Sequence, residues 1–223
     1  MLIVLEGIDG AGKSTQVKNI SDYLQTQGKS VYYLHFPRFD APVFGDLIAR
    51  FLRGDLGPIE SVHPMLVALL FAEDRREAAE KMRSAMQDGQ VVLLDRYVYS
   101  NVAFQCAKLP DSEVEALRDW ILKTEYEVFQ IPKPDLNLFL DVPLSFVDQK
   151  LKENREGDDR AYLQGKADIH EADIRFQQRV RQVYLDQCER DDSFECIDCS
   201  DETGAMLDPE RIFCKIKARL ESL

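Results

Sequence analysis

Short apolar runs alternate with longer segments whose apolar residues recur every three or four positions. "MLIVLEG" at 1–7 reads as a strand with no polar face, and "KSTQVKNISDYLQTQG" at 13–28 as a helix closed by a glycine. "KSVYYLHF" (29–36), "QVVLLD" (90–95), "PDLNLFLDV" (134–142) and "FECIDC" (194–199) read as four further strands. Helices are predicted in "APVFGDLIARFLRG" (41–54), in the long "SVHPMLVALLFAEDRREAAEKMRSAMQDG" (61–89), and in "VYSNVAFQCAK" (98–108). Others are predicted in "DSEVEALRDWILKTEYEVF" (111–129), "PLSFVDQKLKENRE" (143–156), "IHEADIRFQQRVRQVYLDQCE" (169–189) and "DPERIFCKIKARLESL" (208–223). Strands that are continuous Val/Ile/Leu runs are buried on both faces, the habit of parallel sheets. Their alternation with helices implies an α/β domain of three layers. No repeat, low-complexity tract or linker interrupts the pattern, so residues 1–223 are expected to form a single domain.

Between the first strand and the first helix stands "GIDGAGKS" (7–14), which matches G-x-x-x-x-G-K-[ST] in the strand-to-helix context the motif requires. The backbone N–H groups of Gly7, Ile8, Asp9, Gly10, Ala11, Gly12, Lys13, Ser14 and Thr15 can converge on phosphate oxygens, and the helix N-terminus adds its dipole. Lys13 brings a cation, and Ser14 an oxygen suited to Mg²⁺. Glycine is needed where a side chain would block the phosphate or clash at positive φ. The loop points to ATP with Mg²⁺. It does not say what the nucleotide is used for, although no Asn-Lys-x-Asp base-reading motif of a GTPase switch is present. Asp9 is the odd member, since a carboxylate beside phosphate is repelled by roughly 4 kcal/mol at 4 Å and an effective dielectric near 20.

Composition changes the picture in one respect. A formal net charge of -12 argues against a nucleic-acid partner, whose usual footprint is a basic surface, but leaves room for a small anion in a local basic pocket. The apolar start "LIVL" is too short for a secretory signal, and "MLVALLFA" at 65–72 falls far below the roughly 20 residues that span a bilayer. A cytoplasmic protein with no membrane partner is expected. The chain has 5 cysteines. "CIDC" at 196–199 has metal or redox spacing but no second pair, so a strand end is the favoured reading.

Three further clusters fall near predicted strand ends or on the long helix: "FPRF" (36–39), "LLFAEDR" (69–75) and "DRYVYSNVAFQ" (95–105). Ligands of doubly wound sheets bind at the carboxyl ends of the strands. Arg38 and Arg96 stand there, with the geometry for phosphate. Phe71 and Arg75 share a helix face, as stacking and hydrogen bonding to a base would require. Taken singly, Phe71 reads as core, Arg75 as a solvated charge and Arg96 as an ion-pair partner of Asp95. Their joint occurrence points to function.

With "EADIRFQQRVRQVY" (171–184), these motifs stand in the order and approximate spacing of thymidylate kinases, and the chain resembles that family from its N-terminus to about residue 184. The resemblance implies a P-loop nucleoside-monophosphate-kinase fold: a five-stranded parallel sheet with helices on both faces and a lid, here near 155–167. It implies transfer of the γ-phosphoryl of ATP to dTMP with Mg²⁺, and a homodimer. Carried over by position, Phe71 stacks on thymine and Arg75 donates to its O4, with Ser100, Asn101 and Gln105 near the base. Arg38 and Arg96 hold the acceptor phosphate. Phe104 packs where a ribose 2′-OH would project, and Phe36 and Phe39 wall the pocket. Asp95 and Glu171 join Ser14 as candidate Mg²⁺ contacts, and His170 is a candidate pocket wall.

Asp9 accepts from the sugar 3′-OH on this reading; the rival is a turn residue capping its own loop. Gly10 places the chain in the style that takes its catalytic arginine from the lid, where Arg160 is the candidate and Arg155 and Lys166 the alternatives. Lys13, Arg96, Arg160 and Asp9 are then the catalytic set. The alternatives are a kinase of another nucleotide or nucleoside, and a nucleotide-binding regulatory ATPase.

Overall fold

A computed structural model describes residues 1–58, 61–152, 163 and 174–222, with the backbone alone for 150–152. The expected lid at 155–167, with Arg155, Arg160 and Lys166, lies outside the described residues except for Leu163, and so do His170 and Glu171. Five strands form one sheet: β1 (Leu2–Glu6), β2 (Val31–His35), β3 (Val91–Asp95), β4 (Leu136–Asp141) and β5 (Phe194–Asp198). Their order is β2-β3-β1-β4-β5, and every pairing is parallel. β1 is central and buried at every position, as its unbroken apolar run requires. β2 lies at the edge and is only half-buried, with Tyr33 exposed. The connection leaving β1 runs to β2 on one side and that leaving β3 runs to β4 on the other, so the crevice for ligands opens above the carboxyl ends of β1 and β3.

The helices are α1 (Lys13–Thr26), α2 (Phe44–Leu52), α3 (Pro64–Gln87), α4 (Val98–Cys106), α5 (Asp111–Leu122), α6 (Leu144–Lys152), α7 (Ile174–Cys188) and α8 (Pro209–Leu220). They cover the sheet in two groups. α1 packs on α8, while α4 packs on α3, α5 and α7. The stripe Lys13, Val17, Ile20 and Leu24 turns α1 inward. Removing one such Leu or Ile from water contributes roughly 1.5–3 kcal/mol. Beneath β4 and β5, Tyr184 of α7 stacks on Phe139 at 4.7 Å, and Tyr99 of α4 stacks on Phe194 at 4.5 Å, which pins both helices to the sheet.

Two departures from the periodic pattern bear on the site. The predicted helix 111–129 is α5 followed by a π-helical turn, Lys123–Val128. The predicted helix 41–54 begins only at Phe44, and its Gly45 lies so close to the preceding loop that a Cβ there would sit 2.4 Å from the Arg38 carbonyl oxygen. Glycine lets α2 seat directly against "FPRF". A second, smaller core of Ile48, Phe51, Leu52 and Val67 joins α2 to α3, with Phe39 and Phe71 packed on it.

Candidate active site

The glycine loop connects β1 to α1, with Gly10 and Gly12 at φ 78° and 79°, which L-residues with side chains rarely adopt. Ile8 and Ala11 anchor it by pointing into the core, while the side chains of Ser14 and Thr15 are exposed at the helix start. Lys13 folds back over the loop, its Nζ donating to the carbonyls of Gly7 (3.2 Å) and Ile8 (3.1 Å). Burial first, and the neighbouring Arg96 charge second, lower its pKa to about 8, against the opposing pull of Asp95, Asp9 and Glu6.

Arg96 follows β3 with φ 68°, an uncommon conformation for a non-glycine residue. Its guanidinium joins several parts of the crevice. Nη1 donates to the Gly7 carbonyl (2.8 Å) and to Ser100 Oγ (3.2 Å), and Nη2 donates to Asp9 Oδ1 (2.6 Å). The same group lies 5.1 Å over the Phe104 ring. Burial is the largest influence and works against its charge, but Asp9, Tyr184, Asp95 and Glu6 together outweigh it, so the guanidinium stays firmly protonated. Asp9 is held from the other side by Gln177 of α7, whose Nε2 donates to Oδ2 at 3.0 Å and whose Oε1 accepts the Asp9 N–H at 3.3 Å. The carboxylate thus bonds across the fold, to α4's approach and to α7.

Below this node sits Glu6, fully buried at the end of β1. It accepts from the Tyr97 N–H (2.9 Å), the Ser100 N–H (3.1 Å) and hydroxyl (2.5 Å), and the Tyr184 hydroxyl (3.0 Å). Burial raises its pKa, while these donors and the Arg96 charge pull it back. Ser100, the residue expected near the base, has its hydroxyl engaged by Glu6. Asp95 does not pair with Arg96 through a hydrogen bond. Its Oδ2 lies 3.5 Å from His35 Nδ1, and its Oδ1 is buried with no hydrogen-bond partner among the described residues. Burial alone would raise the Asp95 pKa, but His35 and the Lys13 charge hold it below the usual value.

On the acceptor side, Arg38 is not a free phosphate ligand. Its Nε reaches Asp74 Oδ1 at 2.9 Å, and Nη2 reaches the Asp74 carbonyl (2.9 Å) and Glu77 (3.2 Å). Arg75 is fully buried, not a solvated charge, and forms a two-point pair with Glu125 of the π-helical turn at 2.5 and 2.7 Å. Asn101 donates through Nδ2 to the Ala68 carbonyl (2.9 Å) and to Glu125 (3.0 Å). Phe36 is buried against Tyr97, at 5.8 Å between rings. Phe39 and Phe71 are half-buried on the smaller core, so packing accounts for part of both. Gln105 is buried and accepts from Lys108 at 2.7 Å.

Sequence reasoning passed over Glu6, Asp74, Glu125, Gln177 and Tyr184. Glu6 carried a usable signal, since a carboxylate ending a fully buried strand needs donors. Glu125 carried none, standing beside Glu127 in an ordinary helical pattern. Among the described residues no cluster of three or more His, Cys, Asp or Glu could hold a metal, and Cys196 and Cys199 are free, one exposed and one buried.

The family model described as "Thymidylate kinase" matches residues 5–208. The thymidylate kinase of Mycobacterium tuberculosis (strain ATCC 25618 / H37Rv) is 36% identical over 188 residues, covering 83% of this chain and 85% of the relative. The probable thymidylate kinase of Thermococcus kodakarensis is 33% identical over 228 residues, covering 100% of this chain and 98% of the relative. Among solved structures, the thymidylate kinase of Candida albicans superposes with a TM-score of 0.74 at 26% identity, over 99% of this chain and 91% of that one.

Proposed function

The chain belongs to the thymidylate kinase family, and from that premise we propose how its own residues transfer the γ-phosphoryl group of ATP to dTMP, giving dTDP and ADP. The observation that carries the reading is Arg96, whose single guanidinium bonds the donor loop at Gly7 and Asp9 and stands over Phe104 on the acceptor side. A cation there lies between the two phosphates. Phosphoryl transfer passes through a loose, charge-spread transition state, so positioning and electrostatics dominate.

The loop from Gly7 to Thr15 takes the ATP phosphates on its N–H groups, and Lys13 exchanges its two carbonyl contacts for phosphate oxygens. Arg38 and Arg96 receive the acceptor phosphate, with Asp74 and Asp9 aligning them. Asp9 receives the 3′-OH. Phe71, Arg75, Asn101 and Gln105 take the base, with Phe36 and Phe39 as walls and Phe104 against the sugar. Arg160 supplies the lid cation.

Magnesium fits the donor set. Asp95 offers a buried oxygen with no protein partner among the described residues, and Ser14 an exposed hydroxyl at the start of α1. Mg²⁺ needs only one or two protein oxygens beside phosphates and waters. Glu171 is the further candidate. When bound, the ion would neutralise charge on the bridging phosphate oxygens.

A homodimer is supported by α3, where Met65, Leu66 and Leu69 are exposed, Leu66 at 62%. A monomer mass by light scattering would remove that reading. No helix of the described residues is long and apolar enough to cross a membrane, which fits a cytoplasmic location.

The test is an acceptor panel. Purified protein with ATP and Mg²⁺ is offered dTMP, dUMP, UMP and dGMP, and dTMP is expected to give the highest kcat/KM. Preference for another acceptor replaces dTMP, and no turnover with any acceptor favours a regulatory ATPase. Run in parallel, Arg160→Ala is expected to lower kcat far more than KM, and unchanged turnover removes Arg160 from the mechanism.

A further inference from the structure

Glu125 is a fully buried carboxylate on a π-helical turn, a local irregularity that often accompanies function. The chemistry above does not use it. Its oxygens nevertheless organise two of the polar side chains assigned to the base, Arg75 and Asn101. Oε2 accepts from Arg75 Nε, and Oε1 accepts from Arg75 Nη2 and from Asn101 Nδ2. Asn101 Nδ2 also donates to the Ala68 carbonyl. Both Asn101 amide hydrogens are therefore spent on pure acceptors. Flipping that amide would set its oxygen against a carboxylate and a carbonyl, so the orientation is determined. What remains is Asn101 Oδ1, buried and without a partner among the described residues. An orphan acceptor in a closed site costs free energy unless a ligand donor meets it.

We propose that Glu125 is the positioning residue that sets pyrimidine specificity, by holding Asn101 as an acceptor and Arg75 as a donor toward the base. The inference rests on the dTMP reading of the same site. Thymine and uracil present an N3–H donor beside an O4 acceptor, which complements that pair. Cytosine presents an N3 acceptor beside an amino donor, which opposes it at both points. The discrimination comes from a leftover acceptor that a mismatched base leaves unsatisfied.

The test compares kcat/KM for dTMP, dUMP and dCMP in the wild type, Glu125→Gln and Glu125→Asp. Glutamine turns an amino group toward Arg75 and breaks the fork. Aspartate keeps the charge for Arg75 and so protects folding, but draws the oxygens back from Asn101 by one methylene. Glu125→Gln is expected to lower the dTMP:dCMP ratio by about tenfold or more, the scale of one lost two-point base contact. The loss should appear mainly in the KM for the acceptor, with the KM for ATP unchanged. Glu125→Asp should show a smaller fall. The dTMP:dUMP ratio should stay constant, because both bases present the same edge. Thermal unfolding identifies which variants are folded. An unchanged dTMP:dCMP ratio in the folded variants overturns the role, even if overall activity drops. A wild type that ignores dTMP overturns the acceptor assignment and this inference together, whereas a dTMP-selective wild type with unchanged variants overturns only Glu125.

Discussion

Two arginine–carboxylate pairs stand at opposite ends of the proposed acceptor site, and they differ in construction. Arg75–Glu125 is sealed, with side-chain exposures of 2% and 0%, and joins two helical segments 50 residues apart. Arg96–Asp9 is open to the crevice, at 12% and 19%, and each partner has a second contact, Arg96 to Gly7 and Asp9 to Gln177. A sealed pair cannot exchange partners without exposing a buried charge to an apolar interior. An open pair can, because water, substrate or a neighbouring group replaces whichever partner turns away. On the proposed reading, shape at the base end is thereby fixed, while charge at the phosphate end stays adjustable.

The comparison breaks most visibly under substitution of one sealed partner. Arg75→Ala leaves Glu125 buried with Asn101 as its one side-chain donor among the described residues. Removing one member of such a pair is expected to cost about 3–5 kcal/mol. For a domain of this size that corresponds to a fall in Tm of about 10 °C, read by calorimetry or circular dichroism. Replacing both residues by methionine should recover most of the loss, since an apolar pair of similar volume leaves no orphan charge. A single variant that melts with the wild type would show the pair to be far more hydrated than its burial implies.

The open pair should behave in the opposite manner. Asp9→Ala frees Arg96 but leaves it the Gly7 carbonyl and Ser100, so the stability change is expected to stay at about 1 kcal/mol or less. Turnover of dTMP should fall by about 100-fold, the scale for losing one positioned charge contact at a reacting centre, while ATP still binds. The wild type should in turn handle 3′-deoxy dTMP poorly. Equal turnover of dTMP and its 3′-deoxy analogue would leave Asp9 as a loop brace shared by Arg96 and Gln177.

The same contrast explains what was legible in the sequence. The donor loop is local: its glycines, Lys13 and Ser14 stand within eight residues between one strand and one helix, and spacing alone identifies them. The strands were equally legible, because burial on both faces leaves an unbroken apolar run. The sealed pair is assembled from α3 and a π-helical turn, and no periodicity announces that Glu125 rather than Glu127 faces inward. Gln177 was in view within a quoted motif, but its grip on Asp9 spans 168 residues of chain and depends on how α7 lies across the sheet. The sequence shows the chemistry of Arg38 and Ser100 but not the Asp74 and Glu6 that their side chains bond across the fold.

A smaller effect concerns Lys13, in the donor loop beside the open pair and repelled by Arg96. With its pKa lowered to about 8, the lysine loses its proton in the free protein as pH rises from 7 to 9. Phosphate binding needs the charged form, so the apparent affinity for ATP should fall across this window, by about tenfold one unit above the pKa. The sign for folding is reversed. Between about 8 and the ordinary value of 10.5 the unfolded chain holds a proton that the folded chain does not, so this group adds stability as pH rises. Asp9→Ala removes one of the charges that raise the Lys13 pKa, and should shift the loss of ATP affinity to lower pH. Titration of ATP binding against pH in the two proteins measures this shift. Coincident curves would mean that Asp9 acts on Arg96 alone, and that the open pair is electrostatically insulated from the donor loop in which it sits.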